Sequence, residues 1–177
     1  MLGGMASLAG IVSATARFAN RRGVYAGRRT AKVHVALYRW SGGRIGGRMP
    51  GRRDARILLL DHVGAKSGIR RTSPLMYVDA GAAVAIAASK AGQPHHPAWY
   101  HNLLAHPDTT MRVGTDVRPV RARVATAAEY PDLWREFVAM TPDYEFYRRR
   151  AGGRTIPLVV LEPRRPSSAV EVDEPVE

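Results

Sequence analysis

Lys66, Arg70 and Arg71 stand close together, interleaved with the small hydroxyls Ser67, Thr72 and Ser73, in the segment Gly64-Ala65-Lys66-Ser67-Gly68-Ile69-Arg70-Arg71-Thr72-Ser73-Pro74-Leu75. Ammonium and guanidinium groups donate charge-assisted hydrogen bonds to anionic oxygens, so the grouping suits a phosphate or a carboxylate. A turn can also leave the N–H of Gly68 free. The segment joins an apolar run, Ile57 to Val63, to a second strand-like run, Leu75 to Val78, and reads as a hairpin. An ordinary solvated hairpin with basic residues fits the same pattern.

Lys90 follows the apolar run Val84-Ala85-Ile86-Ala87-Ala88-Ser89. It stands at a strand terminus, either solvated or aimed into a cleft. Consecutive strands are usually neighbours, which would gather Lys66, Arg71 and Lys90 into one cationic pocket. Tyr144 and Tyr147 are three apart on a short helical segment and project from one side. They could close over a planar ligand or simply pack the helix onto the body. His95, His96 and His101 do not read as a metal site. They lack the spacing of a zinc helix and any accompanying carboxylates.

The chain has no Gly-x-Gly-x-x-Gly after a strand, no Walker loop, no Gly-x-Ser-x-Gly elbow and no cysteine. Rossmann, P-loop, esterase-elbow and thiol chemistry are thereby disfavoured. Many donors with little acid–base machinery fit chemistry carried by a bound cofactor, with the protein supplying position and electrostatics.

Elements must position these groups. Strand patterns cover Ile57 to Val63, Thr72 to Val78, Ala82 to Ala88, Thr109 to Val113, Val117 to Ala125 and Ile156 to Leu161. Helical patterns cover Thr30 to Trp40, with Val33, Leu37 and Trp40 on one side, and Pro97 to Ala105, with Trp99, Leu103 and Leu104 inward. Thr126 and Glu129 have capping-box spacing and open a third helix towards Met140, with Leu133, Phe137 and Met140 as its apolar side. Tyr144 to Arg150 forms a fourth. Short turns between strands imply an antiparallel meander, hence an α+β protein built on an antiparallel sheet or small barrel.

The 177 residues carry a net charge of +12, and the excess is concentrated. Twelve basic residues and one acid lie between Met1 and Arg56. The chain divides into a basic helical arm over 1–55, a body over 56–163 and an acidic tail over 164–177 that reads as disordered. Nucleic acid is a poor partner for the arm, because no zinc-finger spacing, helix-turn-helix signal or aromatic RNA-binding consensus is present. Leu2, Met5, Leu8, Val12, Ala16 and Ala19 recur at helical intervals ahead of the basic residues. This pattern suits an anionic membrane surface, or a helix packed on the domain. No apolar run is long enough to cross a membrane.

Several motifs recur in one order: Leu58-Leu59-Leu60, Gly64-x-Lys66-Ser67-Gly68, Arg71-x-x-Pro74-Leu75, Ala87-Ala88-Ser89-Lys90, Pro97-x-Trp99-Tyr100-x-Asn102-Leu103, His106-Pro107 and Arg154-Thr155-Ile156-Pro157-x-Val159-Val160. Together they resemble the deazaflavin-dependent nitroreductase family, whose members bind coenzyme F-420. The resemblance implies an antiparallel split β-barrel of the FMN-binding type with flanking helices, often dimeric. It implies an oxidoreductase passing hydride from reduced F-420, an 8-hydroxy-5-deazaflavin, to a quinone, an activated alkene or a nitroaromatic. By the same carry-over Lys66, Ser67, Arg71 and Lys90 hold the phosphate and acidic tail. Thr72, Ser73, Pro74 and Leu75 line the ring, with Ala87, Ala88 and Ser89 beside them, and Ala98, Trp99, Tyr100 and Asn102 complete the wall. Tyr144 meets the ring and Tyr147 borders the substrate, so Ser89, Tyr144 and Tyr147 are the candidate catalytic residues. No metal is implied.

The sequence departs from the family at Ala65, where a basic residue is frequent. It departs again at Thr141 and Ala98, where a nitroreductase of the family has tyrosine and methionine. An FMN-dependent split-barrel reductase and a non-catalytic deazaflavin- or membrane-binding protein are the alternatives. The expected location is cytoplasmic, with the arm resting on the inner face of the plasma membrane.

Overall fold

The computed structural model describes residues 28–49 and 52–164. The apolar helix expected before residue 20 and nearly all of the expected tail lie outside the described residues. The elements are α1 (Arg28–Trp40), β1 (Arg48–Met49), β2 (Arg52–Val63), β3 (Arg70–Ala80), β4 (Ala83–Ala87), a 3-10 turn (Lys90–Gly92), α2 (Ala98–Ala105), β5 (Asp108–Val113), β6 (Asp116–Val124), α3 (Tyr130–Met140), α4 (Asp143–Arg150) and β7 (Leu158–Pro163).

The strands run in the order β1-β2-β3-β4-β7-β6-β5, all antiparallel. Leu59 and Leu60 of β2 also pair with Arg112 and Met111 of β5. That pairing closes β2 to β7 into a six-stranded barrel with flanking helices. It is the α+β barrel that the sequence pattern and the family resemblance both implied.

Side chains alternate across each strand, so every strand feeds two layers. Leu58, Leu60, Tyr77, Val84, Ile86, Met111, Val120 and Leu161 fill the barrel with Trp99 and Leu103 of α2. On the other face, Val78, Ala85, Ala87, Leu158 and Val160 are covered by Leu133, Trp134 and Phe137 of α3 and by Tyr144 and Tyr147 of α4. The capping box forms: the Thr126 N–H donates to Glu129 Oε2 at 2.8 Å, and the Glu129 N–H to Thr126 Oγ1 at 3.3 Å. An Arg52–Asp143 ion pair of 3.2 Å ties the start of β2 to the start of α4.

Two expectations need correction, and the apolar side of α1 has a placement that the sequence left open. The apolar side read for α1 is its exposed side: Val33, Leu37 and Trp40 are 59%, 42% and 80% exposed. Tyr38 docks the helix instead, donating to the Ile57 carbonyl at 3.0 Å and accepting from the Gly114 N–H at 2.9 Å. Leu104 is exposed as well, because α2 meets the barrel mainly through Trp99, Asn102 and Leu103, with Tyr100 half-buried beside them. Finally, β2 begins at Arg52 rather than Ile57. Its charged start pairs with β1, Met49 opposite Arg52 and Arg48 opposite Arg56, so ladder hydrogen bonds rather than burial extend it.

Candidate functional site

The β2–β3 turn is built by two backbone bonds, Gly64 N–H to the Ile69 carbonyl at 2.9 Å and Gly68 N–H to the Gly64 carbonyl at 2.8 Å. The Gly68 N–H is therefore engaged, not free as expected. Gly68 has φ +64, in the left-handed region that glycine enters without strain. Lys66 and Ser67 sit exposed on this turn. Arg71 lies directly opposite His62 at the start of β3, and Ser73 opposite Leu60. Arg71, Ser73 and Leu75 thus share a face. Thr72 and Pro74 project from the other one, where the Thr72 hydroxyl donates to Asp61 Oδ1 and accepts from Arg39.

β4 stops short of this end. Its pairing with β3 reaches Ile86 opposite Tyr77 and goes no further. Residues 70–75 of β3 therefore pair with β2 on one edge and leave the other edge open beside the chain leaving β4. Pro74, which has no N–H to give a ladder, suits such an edge. The barrel is split here, with Lys66, Arg71 and Lys90 all at the same end.

The departing chain is strained and braced. Lys90 and Ala91 have φ of 47° and 51°, a conformation that costs a side-chain-bearing residue about 1–3 kcal/mol and persists only where surroundings enforce it. Arg154 enforces it. Its guanidinium donates to the carbonyls of Ser89 at 2.9 Å, Gln93 at 3.1 Å and Ala88 at 3.3 Å, and to His96 Nδ1 at 2.8 Å. Burial and the neighbouring Arg154 charge hold His96 below its ordinary pKa, which keeps Nδ1 free to accept. Gly92 packs so closely on α4 that a Cβ there would lie 2.6 Å from the Tyr147 carbonyl oxygen.

Helix α2 closes the barrel end below the turn. Trp99 is in the core, Tyr100 is half-buried and Ala98 is exposed at the helix start. Asn102 Oδ1 accepts the Ala65 N–H at 2.9 Å, and its Nδ2 lies 2.8 Å from His62 Nδ1. His62 Nε2 lies 3.0 Å from Ser73 Oγ. Sequence reasoning passed over His62, and it named Arg154 only within a family motif, with no role. The signals for them were a histidine inside an otherwise apolar strand, and an arginine just before the last strand.

Tyr144 and Tyr147 do share a side of α4, but they are 2% and 3% exposed, with ring centroids 5.7 Å apart. Their rings pack under α3 against the outer face of β4 and β7. Among the described residues no group of His, Cys, Asp and Glu could hold a metal ion.

A family model described as "F420H(2)-dependent quinone reductase" matches residues 30–163. This chain belongs to that family. The F420H(2)-dependent quinone reductase Rv1261c of Mycobacterium tuberculosis is 40% identical over 136 residues, covering 75% of this chain and 89% of that protein. A solved F420-H2 dependent reductase, FDR-A, is 37% identical with TM-score 0.55, covering 60% of this chain and 93% of that one. A structure described as a domain-swapped dimer is 34% identical with TM-score 0.57, covering 76% and 99%.

As a family member the chain is an F-420-dependent oxidoreductase, and FMN is not needed as an alternative. The split end suits such a cofactor physically. An open strand edge offers backbone donors and acceptors to a flat heterocycle, and the flanking cations suit an anionic tail.

Proposed function

We propose that this protein reduces quinones with reduced F-420, and that the split end of the barrel between β3 and β4 is where it does so. The supporting observation is the unpaired edge of residues 70–75 beside the braced turn at Ser89 and Lys90. Lys66, Ser67, Arg71 and Lys90 hold the phosphate and acidic tail. Thr72, Ser73, Pro74 and Leu75 line the ring, with Ala87, Ala88 and Ser89 across from them and Ala98, Trp99, Tyr100 and Asn102 as the wall. Thr72 and Pro74 contribute through their backbone, because their side chains leave by the opposite face.

When bound, reduced F-420 supplies a hydride from C5. The protein orients the acceptor and excludes water. Ser89, at the end of β4, donates to the oxygen on which negative charge develops. Tyr147 delivers a proton and Tyr144 meets the ring; both roles require the α4 rings to be uncovered in part as the cofactor enters. Activated alkenes and nitroaromatics are electron-poor acceptors of the same kind. Titration of the protein with F-420, followed by fluorescence, tests the reading, and absence of binding in the micromolar range overturns it.

The arm over 1–55, the barrel over 56–163 and the tail over 164–177 divide the work, with the barrel carrying the chemistry. No described helix is long and apolar enough to cross a membrane. The exposed Val33, Leu37, Trp40 and Ile45, accompanied by Lys32, Arg39 and Arg44, support a peripheral position on an anionic surface at the cytoplasmic face. Sedimentation with anionic vesicles tests this, and retention by Trp40→Ser at wild-type level contradicts it. The relative described as a domain-swapped dimer supports a homodimer, which light scattering decides.

A further inference from the structure

The bonds linking the β2–β3 turn, α2 and β3 have a fixed direction. The Ala65 N–H can only donate, so Asn102 Oδ1 is the acceptor and Asn102 Nδ2 is a donor. His62 Nδ1, 2.8 Å from that donor, must therefore be the bare, accepting nitrogen. A neutral ring then carries its proton on Nε2, which donates to Ser73 Oγ at 3.0 Å. Ser73 thus accepts on a lone pair, and its own O–H proton is left to donate elsewhere. Among the described residues no other hydrogen-bond partner of the Ser73 hydroxyl is found.

We propose that His62 is a positioning residue which, through Asn102, fixes the Ser73 hydroxyl as a donor aimed at an acceptor oxygen of the cofactor held beside Arg71. The role rests on the split end being the F-420 site. Ser73 lies two residues from Arg71 on the same face of β3 and on the stretch whose second edge is open. His62 and Asn102 are 5% and 7% exposed, so water competes little for the bonds between them. Charge on the ring would put an N–H against the Asn102 amide and break the chain. The charged groups around it are Arg71, opposite on β3, which opposes protonation, and the adjoining Asp61, which favours it less strongly. Burial opposes protonation more strongly than Arg71 does, and together they hold His62 down to about 4. The relay therefore stays directional across the physiological range.

The same relay ties the anion-binding turn to the ring-binding strand. The Ala65 N–H belongs to the Lys66 turn, and Ser73 to the open edge. One buried imidazole sets the geometry of both.

Three measurements on the full chain decide the role. Long-range 1H–15N spectra at pH 7 should show His62 neutral with the proton on Nε2; an imidazolium, or a proton on Nδ1, overturns the relay. In F-420 titrations, His62→Leu and Ser73→Ala should each weaken binding by about tenfold, the size expected for one charge-assisted hydrogen bond. The double variant should be no weaker than either single one, because both remove the same donor. His62→Gln, which keeps a donor near Nε2 and does not titrate, should recover most of the affinity and guards against mere loss of folding. Unchanged affinity in either single variant, or penalties that multiply, overturns the role while leaving the F-420 reading intact. Failure of the wild type to bind F-420 overturns both.

Discussion

Arg154 Nη2 donates 2.9 Å to the backbone carbonyl of Ser89, across 65 residues of sequence. Ser89 opens the turn in which Lys90 and Ala91 hold positive φ. One guanidinium therefore brings the start of the last strand to bear on the segment that flanks the open edge of β3. Lysine has the charge but not the fork, so it cannot serve all of these acceptors at once. Arg154→Lys should weaken F-420 binding by about fivefold and speed amide exchange at residues 89–93, with little change in melting temperature. Unaltered exchange would show that the turn is held by other means.

The cations at the split end should act through the anionic part of the ligand. Lys66→Ala and Arg71→Ala should each weaken F-420 binding by about tenfold, with smaller losses at high salt because screening already reduces their contribution. Turnover at saturating cofactor should change much less. If both variants bind as the wild type does, the tail lies elsewhere.

Gly92 has φ +73, and a Cβ there would lie 2.6 Å from the Tyr147 carbonyl oxygen and 3.0 Å from its Cα. Neither the backbone strain nor the clash can be relieved by rotating a side chain. Gly92→Ala should therefore destabilise the fold by about 2–3 kcal/mol, read by denaturant unfolding. A neutral outcome would mean that α4 can move away from the turn.

Acid stability separates two groups. His62 is held down to about 4 by burial and by Arg71. Its stabilising effect is complete above the ordinary histidine value and is lost as pH falls from about 6.5 to about 4, amounting to about 3 kcal/mol at most. Glu129 is held down to about 2, first by Arg123 and then by Thr126, so its contribution is lost only as pH falls from the ordinary carboxylate range towards 2. His62→Gln should flatten the melting curve between pH 6.5 and 4, whereas Glu129→Gln should flatten only the more acidic limb. A wild-type-like slope in His62→Gln would place the acid-sensitive group elsewhere.

Tyr147→Phe keeps the packing of a residue that is 3% exposed and removes only its hydroxyl. If that hydroxyl delivers the proton, quinone turnover at saturating substrate should fall by about tenfold or more, with F-420 affinity retained. Full activity would leave Tyr147 as a packing residue.

Local chemistry made much of this readable from sequence. Alternating apolar residues and short turns located the barrel strands, and the Thr126–Glu129 spacing marked the start of α3. The placement of Lys66, Arg71 and Lys90 at the same end of the β2–β3–β4 meander followed from the adjacency of consecutive strands. What could not be read depends on distant pairings. The β2–β5 closure and the insertion of β7 between β4 and β6 are matters of long-range register. The docking side of α1 could not be read, because Val33, Leu37 and Trp40 carry the helical period while Tyr38 docks by meeting two backbone groups of the barrel. His62 was hidden inside an apolar run, and its meaning appears only once Asn102 and Ser73 are beside it.

The central claim is hydride transfer at the split end of the barrel, and anaerobic oxidation of reduced F-420 by a short-chain quinone tests it most directly. The return of deazaflavin absorbance should be enzyme-dependent, should saturate with F-420 in the micromolar range, and should be lost at low cofactor concentration in the Lys66→Ala/Arg71→Ala double variant. An oxidation rate equal to that without enzyme, or one that the double variant leaves untouched, would contradict the account.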